Sequence, residues 1–201
     1  TYYYKRVKQI RNNSVISKII QTGFEKEALK TNDLAQILGL SIDVSHSVSS
    51  LNKKKLEEKL LNIPFIKDAE VKQKGNNALI VDYSVRKPVF LVLDGKNLAM
   101  DKDSYLFPVS PFFTPKNMPK LYLGLGELKE IWNRRVDLPQ VKKAFKILSL
   151  FNGDPLRVKQ VDVSNPTEVV VILNHVQNLH YLRLSSNNFE KELSHYQRLS
   201  S

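Results

Sequence analysis

The sequence of 201 residues contains no cysteine, which excludes disulfides, thiol nucleophiles and cysteine-ligated metal sites. It has no apolar run near the roughly 18 residues that a membrane-spanning helix needs. The longest apolar runs, Val89–Leu93 and Val169–Leu173, have the length of β-strands. The hydrophobic content of 42% and the charged content of 25% are ordinary for a folded domain. We therefore expect one large folded domain or two small ones.

The sequence also lacks the motifs of the common enzyme classes, since it has no glycine-rich phosphate loop, no His-Glu-x-x-His and no Gly-x-Ser-x-Gly. Three of the four histidines, His175, His180 and His195, lie in the C-terminal part, but they have no acidic residue at ligand spacing nearby. Asp101 and Asp103 resemble paired carboxylates, but their place in a predicted β-turn favours a turn-capping role. We predict no catalytic centre, no metal site and no cofactor.

Acidic residues are scarce relative to basic ones, 20 against 31, which gives a net charge of +11. Such an excess suits a nucleic acid, an anionic membrane surface or an acidic partner. The basic clusters are dispersed along the chain and lack interleaved aromatic residues at one site. The pattern favours a solvated basic surface, then attraction to a membrane or a partner, and gives little support to nucleic-acid binding.

Trp132 is the only tryptophan and lies among Glu130, Arg134 and Arg135. Packing in a core is one role for such a residue. Exposure beside arginines would instead make it an anchor of a protein interface. The sequence leaves both interpretations open.

The clearest periodic pattern lies between residues 52 and 85. Asn52–Asn62 is predicted as a helix because its leucines recur at helical spacing, and Pro64 ends it. Strands are predicted over Lys67–Gln73 and Ala78–Val85, joined by a Gly-Asn turn. Upstream, the pattern predicts a helix over Asn32–Leu38, with Thr31 as its N-cap and Gly39 as its end.

From Pro88 onwards the pattern is mainly that of strands. Asp94-Gly95, between Val89–Leu93 and Lys96–Asp101, predicts a two-residue hairpin. Pro139 suits the first position of a helix whose core-facing stripe is predicted to be Val141, Ala144, Phe145 and Leu148.

The C-terminal part is predicted to contain three strands and a helix. The strands lie near residues 158–163, 169–173 and 179–185, and the helix covers Asn188–Leu199. Phe189, Leu193 and Tyr196 lie at helical spacing, so we expect them to pack the helix onto the sheet.

Two segments carry a resemblance to a known family. Ile63-Pro64-Phe65-Ile66-Lys67-Asp68-Ala69-Glu70-Val71 and Val85-Arg86-Lys87-Pro88-Val89-Phe90 resemble the polypeptide-transport-associated (POTRA) domain of the bacterial division proteins FtsQ/DivIB. Val85 stands where the family often has Glu, and Phe90 where it often has Ala. The first segment is also similar to POTRA domains of outer-membrane assembly and secretion proteins.

Weaker downstream similarities narrow the choice to FtsQ/DivIB. The run from Met100 to Phe107 is similar to the family's "v-D-x-x-G-x-x-F", with Ser104 at the glycine position, so we expect that turn to be built differently. The run from Met118 to Gly124 is similar to its "LP-x-l-x-G". Ile16, Ile19 and Gly23 fit the family's first POTRA strand.

The resemblance implies an α+β fold. Residues 1–15 are expected to be a membrane-proximal linker, residues 16–86 a β-α-α-β-β POTRA domain, and residues 87–201 a β-rich domain with flanking helices. In the family a final strand follows the last helix. The sequence as given ends at Ser201, so we expect that strand to be missing from it.

The resemblance also implies a non-enzymatic scaffold of the cell-division machinery on the outer face of the cytoplasmic membrane. It implies a single membrane helix upstream of Thr1 and FtsB/DivIC-like and FtsL-like partners, with no nucleic acid and no small-molecule substrate. One alternative is a POTRA module of an outer-membrane assembly or secretion system. A second is a basic nucleic-acid-binding protein.

The hypothetical binding sites are sheet edges, since an edge strand accepts an added strand. In the POTRA fold the strand Lys67–Gln73 is outermost, and its solvent face carries Asp68, Glu70 and Lys72. We expect a proline at Glu70 or Lys72, whichever N–H points outward, to weaken binding and to spare the fold.

The second hypothetical edge is the strand Leu179–Ser185, with Tyr181, Leu182, Arg183 and Leu184 as partner-binding residues. In the family the FtsB-type partner adds beside the final strand. Without that strand we expect the site to be lost, and pairing of the partner with Leu179–Ser185 is the alternative.

Overall fold

A computed structural model describes residues 15–22, 29–40, 47, 51–110, 113–114, 117–128, 132–152, 156–175 and 178–200. The chain divides into two compact units, Thr1–Arg86 and Lys87–Ser201. The predicted linker, apart from Val15, and Gly23 of the predicted first strand lie outside the described residues.

The first unit has the POTRA order of elements. They are β1 (Lys18–Thr22), α1 (Thr31–Leu38), α2 (Lys53–Leu61), β2 (Ile66–Lys74) and β3 (Ala78–Val85). The sheet order is β1-β3-β2, with β1 parallel and β2 antiparallel to the central β3. The predicted outer position of the strand Lys67–Gln73, which is β2, is therefore confirmed.

The two helices begin and end for different reasons. Asn52 caps α2, because its side-chain oxygen accepts a hydrogen bond from Lys55 N at 3.2 Å. Thr31 was expected to cap α1, and this is wrong: Thr31 is the first helical residue, and its hydroxyl accepts instead from Gln21 Nε2 at 3.1 Å. Gly39 ends α1 as predicted, with φ of +73°.

The second unit contains eight strands and two helices within its described residues. The strands are β4 (Pro88–Val92), β5 (Leu98–Asp101), β6 (Tyr105–Pro108), β7 (Lys120–Tyr122), β8 (Arg134–Arg135), β9 (Arg157–Asp162), β10 (Glu168–His175) and β11 (Asn178–Ser185). The helices are α3 (Pro139–Leu150) and α4 (Phe189–Ser200). All strands join one sheet of order β11-β10-β9-β7-β4-β5-β6-β8.

Both helices bury apolar residues in the core of this unit. Phe189 and Leu193 of α4 are buried, as predicted, and Tyr196 packs against the same core. In α3 the buried residues include Ile147, which the predicted stripe omitted, whereas Phe145 and Leu148 are only partly buried.

The predicted two-residue hairpin at Asp94-Gly95 is wrong, because five residues separate β4 from β5. The Asp94 carboxylate instead accepts hydrogen bonds from Leu123 N at 2.8 Å and Leu125 N at 2.7 Å. A Cβ on Gly95 would lie 2.7 Å from the carbonyl oxygen of Leu128. Asp94 therefore binds the segment after β7, and the absence of a side chain at Gly95 lets that segment approach closely. The Asp-Gly pair thus serves a contact between distant segments, and not the local hairpin that it predicted.

Ser104 adopts a positive φ of +66° in the turn between β5 and β6. Asp101 caps this turn, since its Oδ1 atom accepts from the N–H groups of Asp103 and Tyr105, both at 2.9 Å. The predicted capping role of Asp101 is confirmed. The serine thus occupies a conformation that favours glycine.

Candidate functional site: the strand edges

Among the residues that the structure describes, four strands lie at the ends of the two sheets: β1 and β2 in the first unit, and β8 and β11 in the second. An edge strand turns the N–H and C=O groups of alternate residues away from its neighbour. Those groups are where a strand from another chain can add. Which residues point outward follows from the register and from the hydrogen bonds at the ends of each strand.

The backbone of β11 is oriented by two hydrogen bonds near its C-terminal end. Ser186 N donates to Thr167 O at 2.9 Å, within the sheet, whereas Ser185 N donates to the Glu192 carboxylate at 3.0 Å. β11 pairs with β10 without a register shift from Asn178 to Ser185. Because inward and outward residues alternate, Leu179, Tyr181 and Arg183 direct their backbone groups away from β10.

The side chains of β11 divide between its two faces. Tyr181 is 66% exposed and Leu179 is 52% exposed. Arg183 is also exposed, and its guanidinium lies 3.7 Å from the Glu168 carboxylate. On the other face, Leu184 is buried and Leu182 packs against the core. Of the four residues predicted here, Tyr181 and Arg183 are therefore accessible to a partner, while Leu182 and Leu184 hold the strand in place.

A groove of about 470 Å³ adjoins the exposed face of β11. Across the sheet, Tyr181 lies opposite Ile172, Ile172 opposite Gln160, and Gln160 opposite Lys120. The basic side chains of Lys120 and Lys159 line the same groove. The surface beside this edge thus combines apolar and basic side chains. The sequence did not predict this feature, because the surface joins residues from five strands.

The opposite edge of this sheet, β8, is only two residues long, Arg134–Arg135. Trp132 lies two residues before it and is 36% exposed. This position favours the interpretation of Trp132 as a surface anchor over packing in the core. So short a strand offers an added chain few backbone groups, so β8 is the weaker docking edge.

In the first unit, the outward backbone groups of β2 follow from one contact. Val71 N donates to the Glu57 carboxylate of α2 at 2.9 Å, so it is not bonded to β3. By alternation Ala69 and Gln73 also face outward, while Glu70 and Lys72 turn their N–H groups toward β3. The expected proline positions are therefore wrong, since neither residue supplies an outward N–H.

The predicted residues Asp68, Glu70 and Lys72 contribute side chains to the β2 surface instead. Lys72 Nζ lies 2.7 Å from the Glu70 carboxylate, and this hydrogen bond and charge raise the pKa of Lys72. Asp68 accepts a hydrogen bond from the Ser84 hydroxyl at 3.2 Å. These side chains give the edge a charged solvent face.

The three histidines considered for a metal site, His175, His180 and His195, lie in the second unit. His180 hydrogen-bonds to the Tyr196 hydroxyl. The rings of His175 and His180 pack edge to face, with their centroids 6.1 Å apart. His195 lies on α4 and lines a separate shallow surface with Glu190. Within the described ranges, no group of three or more His, Cys, Asp or Glu residues is arranged to hold a metal ion.

Residues 14–82 match the family model described as "POTRA domain, FtsQ-type", which covers 69 of the 201 residues. No curated protein matches the chain. The match supports an FtsQ/DivIB-like extracytoplasmic region. The FtsQ-type family consists of non-enzymatic, membrane-anchored division scaffolds. No helix in the part of the chain that the structure describes is long and apolar enough to cross a bilayer.

Proposed function

We propose that this chain, whose residues 14–82 are an FtsQ-type POTRA domain, is a scaffold that binds other division proteins outside the cytoplasmic membrane. A single membrane helix upstream of Thr1 anchors it, and residues 1–15 link that helix to the POTRA domain. Its partners are FtsB/DivIC-like and FtsL-like chains. The POTRA family supports the division role, and the edge of β11 supports the binding role.

The observation that carries the proposal is the row of outward backbone groups at Leu179, Tyr181 and Arg183. Each of the three residues offers one donor and one acceptor to an added strand. Glu192 already occupies the N–H of Ser185, so the pairing is centred on Tyr181. The partner therefore binds in an extended conformation over about five residues.

Backbone pairing alone does not suffice for this binding. Six hydrogen bonds contribute about 0.5–1.5 kcal/mol each, whereas association costs on the order of 4–15 kcal/mol. Full burial of a large apolar side chain contributes about 1.5–3 kcal/mol. Burying the exposed parts of Leu179 and Tyr181 therefore adds a fraction of this free energy for each residue. The partner strand must therefore present apolar side chains to these two residues.

The groove beside β11 places a further requirement on the side chains of the partner strand. Because Lys120 and Lys159 line it together with Ile172, an acidic residue next to the apolar ones would complement it. The proposed partner segment is therefore extended, apolar on one face and acidic where it crosses the groove.

Calorimetric titration tests this role. The extracytoplasmic segment of an FtsB/DivIC-like partner is titrated into this chain and into one extended past Ser201. Equal affinities support pairing with β11. Binding by the extended chain alone would contradict docking at β11 and support the expectation that the site is lost without a further strand. Absence of binding by both would contradict the proposed partner. Salt-dependent binding of duplex DNA in a parallel titration would favour the nucleic-acid alternative.

A further inference from the structure

The β2 edge carries a charge pattern that is complementary to itself. Along its solvent face the side chains run Asp68, Glu70, Lys72, Lys74, two acidic residues followed by two basic ones. The middle of this run is Val71, whose backbone N–H and C=O face away from β3. A run of this kind pairs acid with base when two copies meet in antiparallel orientation.

We propose that β2 pairs with β2 of a second copy of this chain about a two-fold axis through Val71, and that Glu57 is the latch that restrains this pairing. The inference concerns the first unit and does not depend on the binding proposed for β11. It joins the two three-stranded sheets into one of six strands with an isologous interface.

The register follows from the outward residues. With Val71 opposite the second copy's Val71, Ala69 lies opposite Gln73, and these are the residues whose backbone groups point outward. The same register places Glu70 opposite Lys72 and Asp68 opposite Lys74, each twice by symmetry. Directly opposed pairs of unlike charge stabilise an antiparallel ladder, and like charges destabilise it. Glu70 and Lys72 already form an ion pair within one strand, 2.7 Å apart, so each has the reach to exchange partners.

Glu57 controls access to this edge. Its carboxylate accepts the Val71 N–H at 2.9 Å, and that donor is the one needed at the two-fold axis. A second strand must displace the carboxylate before it can pair, which lowers the affinity of the copies for each other. The latch is a side chain of α2 that packs beside β2, so it can release without unfolding the strand.

Sedimentation equilibrium of the 201-residue chain measures the effect. Removing the acceptor in Glu57→Ala is expected to tighten self-association about a hundredfold, a factor of about ten for each of the two charge-assisted hydrogen bonds, one per copy, that no longer compete with pairing. Glu58→Ala removes the same charge from an exposed neighbouring position on α2 and is expected to leave self-association unchanged. A Glu57→Ala variant that is folded by circular dichroism and no more associated than wild type would overturn the proposal.

Charge exchange tests the register. In the Glu57→Ala background, Glu70→Lys or Lys72→Glu alone places like charges opposite each other and is expected to reverse the gain. The two together restore opposite charges and are expected to recover it. If the single changes leave the affinity of self-association unaltered, or if the double change does not restore it, the copies meet through another surface.

Discussion

The hydroxyl of Tyr83 accepts a hydrogen bond from the backbone N–H of Leu29, 3.0 Å away, although 54 residues separate the two in the chain. The same hydroxyl donates to Gln21 Oε1 at 3.0 Å, and Gln21 Nε2 in turn donates to Leu29 O at 3.2 Å. Tyr83 lies on the central strand and is buried. This network holds the start of α1 against the sheet of the POTRA unit.

Tyr83→Phe should therefore destabilise the first unit. It keeps the ring but leaves the buried N–H of Leu29 without this acceptor, which costs about 1–3 kcal/mol in the free energy of unfolding. Urea unfolding measures the change, with Tyr122→Phe, on an exposed tyrosine of the second unit, as the control. An unchanged midpoint for Tyr83→Phe would contradict the role given to this network.

Adjacent leucines of α2 should respond differently to the same charge. Leu60 is fully buried and Leu61 is 41% exposed. Leu60→Asp buries a carboxylate in the core, a penalty on the order of several kcal/mol, and is expected to unfold the POTRA unit. Leu61→Asp should leave the thermal midpoint nearly unchanged. Similar midpoints for the two variants would show that α2 does not bury the predicted face.

Ser104→Gly should stabilise the second unit. A residue with a Cβ pays about 1–2 kcal/mol for a left-handed conformation such as the φ of +66° at Ser104, and glycine avoids much of this cost. Ser104→Ala removes the hydroxyl but keeps the Cβ, so it should give no gain. Thermal unfolding of both variants measures the difference, and a gain for alanine equal to that for glycine would assign the effect to the hydroxyl.

The ion pair at the start of α3 makes a prediction about pH. Lys142 Nζ lies 3.0 Å from the Asp137 carboxylate, and its hydrogen bond and charge lower the pKa of Asp137 from its ordinary value of 3.8. The pair therefore stabilises the folded state at pH values above 3.8, the ordinary pKa that Asp137 has in the unfolded chain. This stabilisation is lost as the pH falls through the lower pKa of the folded state. In Lys142→Met, NMR titration should show the Asp137 pKa moving back toward 3.8. A pKa that does not rise would exclude Lys142 as the cause.

Elements whose signal is periodic could be predicted from the sequence. The spacing of Leu56 and Leu60 predicted α2, and Pro139 marked the first turn of α3. Turn chemistry was less informative where a tertiary contact competes, as at Asp94, whose carboxylate binds the backbone of a later segment. Thr31 failed as an N-cap for the same reason, because its hydroxyl bonds to a side chain of β1.

The two edges proposed as binding sites, β2 and β11, were predicted as strands, but their outward atoms were not. Which N–H groups point away depends on the hydrogen-bond register with the neighbouring strand. The carboxylates of Glu57 and Glu192, which accept from Val71 and Ser185, show that direction only in the folded structure. A two-residue period places Glu70 and Lys72 on the solvent face correctly. It carries no information about the direction of their N–H groups, because those lie in the plane of the sheet.

The most direct test of the proposed docking edge compares two substitutions at Tyr181. Tyr181→Ala and Tyr181→Pro both remove the exposed ring, but only proline removes the outward N–H, which makes no bond to β10 and is dispensable for the fold. Calorimetric titration of the partner's extracytoplasmic segment should give about tenfold weaker binding to the proline variant than to the alanine variant, the loss expected for one backbone hydrogen bond and the strand geometry around it. Equal affinity of the two folded variants would contradict strand addition at β11.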